Sequence, residues 1–210
     1  MIETAGLALA TFLATIGPLD VAAMFAALTA NQTAQHRRSI AIRGILISTV
    51  ILLAFALVGE FLLAGLGISL AALRTAGGIL LLLMGIDMVF ARSSGGTSTT
   101  DEEVTEAFSK TDISVFPLAT PLIAGPGAMG AAILLMADQK GDVAGQAIII
   151  ASILLILLLT FISMLLAGKI QHWLGVTGMQ VITRIMGVLL SALAVQFIFD
   201  GIRQSGLVGF

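Results

Sequence analysis

The chain has 210 residues, of which 58% are hydrophobic and 10% charged, with a formal net charge of −2. Soluble domains carry about 25% charged residues, so there is too little polar surface here to coat a water-soluble globule, and the near-neutral balance gives no basic field for nucleic acid. The absence of cysteine excludes disulfides, thiolate metal sites and dithiol redox chemistry, and the two histidines, His36 and His172, are too few and too far apart for an all-protein zinc site.

A helix crossing about 30 Å of hydrocarbon needs about 20 mostly apolar residues. Six segments meet that length, which predicts an all-α polytopic membrane protein with spans near 7–30, 42–67, 73–91, 113–137, 146–168 and 179–202. The N-terminal MIETAG carries Glu3 where a cleavable leader has its positive region, so the first apolar run is expected to be a mature span.

The first span contains Gly17-Pro18 at its centre, followed by Asp20. Proline removes an N–H and clashes with the preceding turn, so this pair should break the helix. Asp20 is the one acid near the middle of a span. A carboxylate there is expensive and is a functional candidate by default. It is suited to carrying a proton or pairing with a substrate ammonium. Equally, it fits as a cap on the half-helix that resumes after Pro18.

Spans two and three are joined by a short loop, and Arg74 opens the third. The stretch 92–112 is polar, acidic and rich in Gly, Ser and Thr, which predicts a flexible linker whose middle, DEEVTEAFSK, is able to form a short surface helix. The fourth span holds the other three prolines, Pro117, Pro121 and Pro126, and repeats the Gly-Pro pair at Gly125-Pro126. Span five is free of charge. Span six carries Arg184, Gln196 and Asp200. Gln196 is expected to bond a neighbouring helix, and Trp173 to sit in an interfacial belt.

Three landmarks recur in order. Gly17-Pro18 lies over Gly125-Pro126 at an offset of 108, LGI at 66–68 over LGV at 174–176 at 108, and Arg74-x-x-Gly77 over Arg184-x-x-Gly187 at 110. The chain therefore reads as two three-helix repeats, 1–91 and 113–210, joined by the linker 92–112. Three spans are an odd number, so the second repeat enters the membrane from the opposite side. Inverted repeats with matched helix breaks are the sequence signature of secondary transporters with a midplane site.

The expected substrate-binding residues are Thr15, Gly17, Pro18, Asp20, Thr120, Gly125, Pro126 and Gly127, amid small neighbours such as Ala22, Ala23, Ala124, Ala128 and Gly130. Two facing breaks would suit a small zwitterion, since half-helix N-termini attract anions and C-termini cations. Asp20, Arg74, Arg184 and Gln196 are candidates for coupling or bracing, with bracing favoured for the arginines. No metal site and no cofactor is expected. No HExxH, GxSxG or Walker pattern occurs, so an enzyme is not expected. Seven Lys/Arg flank the odd-numbered loops (Arg37, Arg38, Arg43, Arg92, Lys110, Lys169, Arg184) against three on the other side (Arg74, Lys140, Arg203), which predicts both termini outside.

The segments IGPLD at 16–20, LRTAGGILLLLMGIDMVF at 73–90, FPLATPLIAGPGA at 116–128 and TRIMGVLLSALAVQFIFDGI at 183–202 resemble the MarC family of six-helix inner-membrane proteins, of the LysE-like transporter superfamily. The resemblance implies a permease for a small neutral amino acid such as glycine or alanine, with Gly17, Pro18, Gly125, Pro126, Gly127, Arg74 and Arg184 as its key residues. The expectation built on it is alternating access coupled to protons or sodium. Asp20 departs from that pattern, where an uncharged residue is expected. The competing readings are an exporter of amino acids, an efflux protein for larger amphipathic compounds, for which the 6% aromatic content is low, and a non-transporting membrane scaffold. Oligomeric state is left open.

Overall fold

A computed structural model describes residues 1–90 and 112–206. The predicted linker, with Arg92, Lys110 and the DEEVTEAFSK segment, lies outside the described residues apart from Asp112. Among the described residues every regular element is helical: α1 (Ile2–Ile16), α2 (Pro18–Leu28), α3 (Ala34–Gly65), α4 (Leu70–Phe90), α5 (Ser114–Ile123), α6 (Pro126–Asp138), α7 (Val143–Leu165) and α8 (Ala167–Gln204). Five helical stretches are long and apolar enough to cross a membrane, α1 and α2 counting together as Ile2–Leu28, and α5 with α6 makes a sixth when the pair is taken as one bent span. The apolar segments read from the sequence thus fall on these elements, with ends displaced by a few residues.

Several helix starts are fixed by local chemistry. Thr33 Oγ1 accepts the His36 N–H at the start of α3, Ser69 Oγ accepts the Ala72 N–H at the start of α4, and Asp142 Oδ1 accepts the Ala144 N–H at the start of α7. Each side chain satisfies a backbone donor that the first helical turn leaves open. The turn after α3 and the kink within α8 both use glycine at positive φ, at Gly67 (φ 69°) and Gly175 (φ 60°). These two stand 108 residues apart, at the LGI and LGV landmarks.

Both spans with a Gly-Pro pair are broken, but in different ways. Between α1 and α2, Gly17 takes φ 59° and ψ 65°, and Pro18 occupies the first helical turn, where its missing N–H costs nothing. Between α5 and α6 the axes bend by 56°, and Gly125 is extended at φ −80°, ψ 170°. The distortion there begins earlier. Phe116 and Thr120, each preceding a proline, are extended, because a proline disfavours the α region for the residue before it. The turns widen in response, with Leu118 N–H reaching Ile113 O at 3.1 Å and Ala124 N–H reaching Ala119 O at 2.8 Å.

The helices pack in a regular scheme. α1 and α2 lie on α7, α5 and α6 lie on α3, α4 touches α6, and α8 touches α2. The broken spans run side by side, α1 by α6 and α2 by α5, while α3 meets α7 and α4 lies along α8. The core is built on Phe12, Phe25, Leu52, Ile153, Leu157 and Leu190, all below 2% exposed. The outward face is equally apolar, with Val50, Leu57, Phe61, Leu155 and Leu158 more than half exposed. A continuous apolar exterior of this kind belongs in lipid.

Glycine sets the closest contact. Along α4 and α8, Gly78 faces Ala194 O, Gly85 faces Gly187 O, and Gly201 faces Ala71 O, each so near that an added Cβ would lie 2.8 or 2.9 Å away. In lipid, helices associate by packing and small residues rather than by water-driven burial. Here that principle brings two backbones into direct contact.

Candidate functional site

Each break opens onto a cavity. The first, of about 210 Å³, is bounded by Leu13, Gly17, Pro18, Leu19 and Asp20 of the broken span, Met88 of α4, Leu159 and Ser163 of α7, and Ile182, Thr183 and Met186 of α8. The second, of about 290 Å³, is bounded by Pro126, Gly127, Met129, Gly130, Ala131 and Ile133 of α6, Phe55 of α3, and Leu73, Ala76, Gly77, Leu80 and Leu81 of α4. Pockets for drug-sized ligands run to roughly 300–1,000 Å³, so both cavities suit smaller solutes.

The first cavity is the polar one. Asp20 lies in the first turn of α2, and its Oδ1 accepts a hydrogen bond from Thr183 Oγ1 at 2.6 Å, joining α2 to α8. Ser163, 5% exposed, lines the same cavity, and its hydroxyl has no hydrogen-bond partner among the described residues. No basic side chain borders it. The second cavity holds neither carboxylate nor hydroxyl: at the offsets of 108 and 110, Phe55 and Leu73, which line it, correspond to Ser163 and Thr183, while Ala128, which corresponds to Asp20, does not border it.

The expected site residues divide accordingly. Gly17, Pro18 and Asp20 border the first cavity, while Pro126 and Gly127 border the second, so the two breaks do not share one of these chambers. Thr15 is buried and donates to Thr11 O at 2.8 Å, which commits its hydroxyl to its own helix. Thr120 is one of the extended residues before a proline. Gly125 is needed for close approach, since a Cβ there would stand 2.7 Å from Pro121 O. Thr15, Thr120 and Gly125 border neither cavity.

The two arginines, placed equivalently in the sequence, have different surroundings. Arg74 is 7% exposed and its guanidinium pairs with Asp138 at the end of α6, bracing α4 against the second broken span. Arg184 is exposed. Gln196 does not reach another helix as expected: its Nε2 donates to Asp200 Oδ2 at 3.3 Å, one turn along α8, because residues four apart share a helix face. Glu60 meets Lys140 at 2.6 Å, tying the end of α3 to the loop after α6. In the first third of α3, Arg43 meets Asp112 at 3.0 Å. The Ser114 hydroxyl and backbone N–H hold the Asp112 carboxyl below the ordinary aspartate range, with Arg43 adding to the effect. Trp173 is 89% exposed, and the side chain of His172 lies outside the described residues.

Thr183 and Ser163 were not singled out in the sequence. Thr183 directly precedes Arg184 and stands just outside the Arg184-x-x-Gly187 landmark. Ser163 had no local signal beyond being a hydroxyl in an apolar run.

A family model described as MarC family integral membrane protein matches residues 2–205. A UPF0056 membrane protein of Methanocaldococcus jannaschii is 38% identical over 197 residues, covering 94% of this chain and 95% of the relative. The UPF0056 membrane protein YvbG of Bacillus subtilis is 34% identical over 186 residues, covering 89% and 88%. A third, from Archaeoglobus fulgidus, is 33% identical over 181 residues, covering 86% and 84%. No solved structure matches the chain.

Proposed function

The chain belongs to the MarC family of integral membrane proteins, and from that premise we propose that it is a secondary transporter of small neutral amino acids of the glycine and alanine type. In this reading it sits in the plasma membrane with both termini outside. Two inverted three-helix repeats alternate access around the broken spans, driven by protons or sodium.

The observation that carries this reading is the packing scheme. Exchanging α1–α4 with α5–α8 sends α2·α7 onto α6·α3, α1·α7 onto α5·α3, α4·α6 onto α8·α2, and α1·α6 onto α5·α2, while α3·α7 and α4·α8 map onto themselves. The positive-φ glycines Gly67 and Gly175 exchange as well. Such a two-fold relation between halves that enter the membrane from opposite sides lets each half adopt the other's conformation. Broken helices are tolerated at membrane depth where they line a cavity, and both breaks do. The small volumes favour small solutes over large amphipathic compounds.

The test is uptake of radiolabelled glycine and alanine by the purified protein in proteoliposomes, with an imposed proton or sodium gradient and without one. Gradient-stimulated accumulation is expected. Absence of movement in either direction under every gradient would leave a non-transporting membrane role.

A further inference from the structure

We propose that the cavity at the first break is a seat for a primary ammonium group, held by Asp20, Thr183 and Ser163. The identity of the solute as a small amino acid rests on the transport reading above. The seat itself rests on geometry.

Begin with the charge. Glu60, Asp112, Asp138 and Asp200 each face a basic side chain. Asp20 faces none, and no basic residue borders its cavity. Asp20 stands in the first broken span, where a carboxylate in lipid is costly without a counter-charge. Its side chain is accessible from outside, so the cation it favours comes from outside the protein. The helix ends do not supply one. At Gly17 the C-terminus of α1 and the N-terminus of α2 meet, so their partial charges of about −0.5 and +0.5 offset each other. Asp20 is left as the dominant charge.

The donor and acceptor count then selects the cation. An alkylammonium has three N–H donors and no acceptor. The Thr183 proton is committed to Asp20 Oδ1 at 2.6 Å, which leaves the threonine lone pairs and the second carboxylate oxygen as acceptors. Ser163, a residue 5% exposed, adds a third oxygen that no other described residue engages. The remaining wall includes Leu13, Leu159 and Met186, which suits a short aliphatic chain. The cavity at the second break is lined by Leu73 and Phe55 where Thr183 and Ser163 line the first, and it has no carboxylate, so it offers no such seat.

The test uses the purified full chain in detergent micelles. Its melting temperature is followed against n-propylammonium chloride, with sodium chloride and sodium propionate as matched salts. A saturable rise is expected with propylammonium alone. Asp20→Asn should abolish it, and Thr183→Val and Ser163→Ala should each raise the half-saturating concentration about tenfold, as loss of a hydrogen bond to a charged group implies. Should Asp20→Asn fail to fold, the other two variants decide. No rise, an equal rise with sodium chloride, or unchanged concentration dependence in Thr183→Val and Ser163→Ala overturns the seat. Glycine uptake with no propylammonium effect would remove the seat and keep transport. Propylammonium binding without uptake would do the reverse.

Discussion

Gly85 and Gly187 are in reciprocal backbone contact: a Cβ built on either would lie 2.8 Å from the carbonyl oxygen of the other. Neither carbonyl belongs to a flexible side chain that can step aside. Gly85→Ala and Gly187→Ala are therefore expected to lower stability by about 1–3 kcal/mol, the usual cost of overpacking. Gly65→Ala, where nothing lies within 4 Å, serves as the control. Melting of the purified variants in detergent checks this, and a Gly85→Ala protein as stable as the control would refute the contact.

The two Gly-Pro breaks should respond differently to alanine. At Gly17 the backbone is left-handed, which costs an L-residue roughly 1–2 kcal/mol. Asparagine tolerates that conformation better, so Gly17→Asn should recover part of what Gly17→Ala loses. At Gly125 the backbone is ordinary and the obstacle is Pro121 O at 2.7 Å, so asparagine should give no recovery there. Denaturation of the four variants separates the two cases.

Arg74 and Arg184 give a second contrast. Removing Arg74 leaves Asp138 without its partner near the buried end of α4, and Arg74→Ala is expected to cost on the order of 2 kcal/mol. Lysine should restore only part, since it lacks the planar fork. Arg184→Ala changes an exposed side chain and should stay within about 0.5 kcal/mol of wild type. Equal losses in the two alanine variants would sink the bracing role.

The Asp112 carboxyl is held below its ordinary range, first by Ser114 and then by Arg43. A depressed folded-state pKa makes the stabilising contribution complete above the ordinary aspartate value, near 3.8, and removes it as pH falls through the lower folded value. Wild type should therefore melt above Asp112→Asn at pH 6, with the gap narrowing as pH drops below 4. A gap that stays constant across that range would rule out the titration.

Hydropathy and proline placement were enough to read the apolar segments and both broken spans. Which faces touch was harder to read, for a physical reason. In lipid the outward and inward sides of a span are both apolar, so Leu57 and Leu52 look alike in sequence although one is 63% exposed and the other fully buried. Small residues were the available signal, and Gly78, Gly85, Gly187 and Ala194 mark the α4–α8 contact in hindsight. The pairing of Asp20 with Thr183 spans 163 residues and follows from that packing, so no local pattern announced it. Matching motifs also concealed a difference, since Gly17 and Gly125 bend the chain through different backbone conformations.

The seam between α4 and α8 has a mechanical consequence. Side chains can change rotamer and let helices slide, but two backbones in contact leave nothing between them to rearrange. These helices belong one to each half of the chain, so the seam couples the halves like a shared axle. In the transport reading proposed above, an opening of one break would turn about that axle, and the opposite break would register the turn.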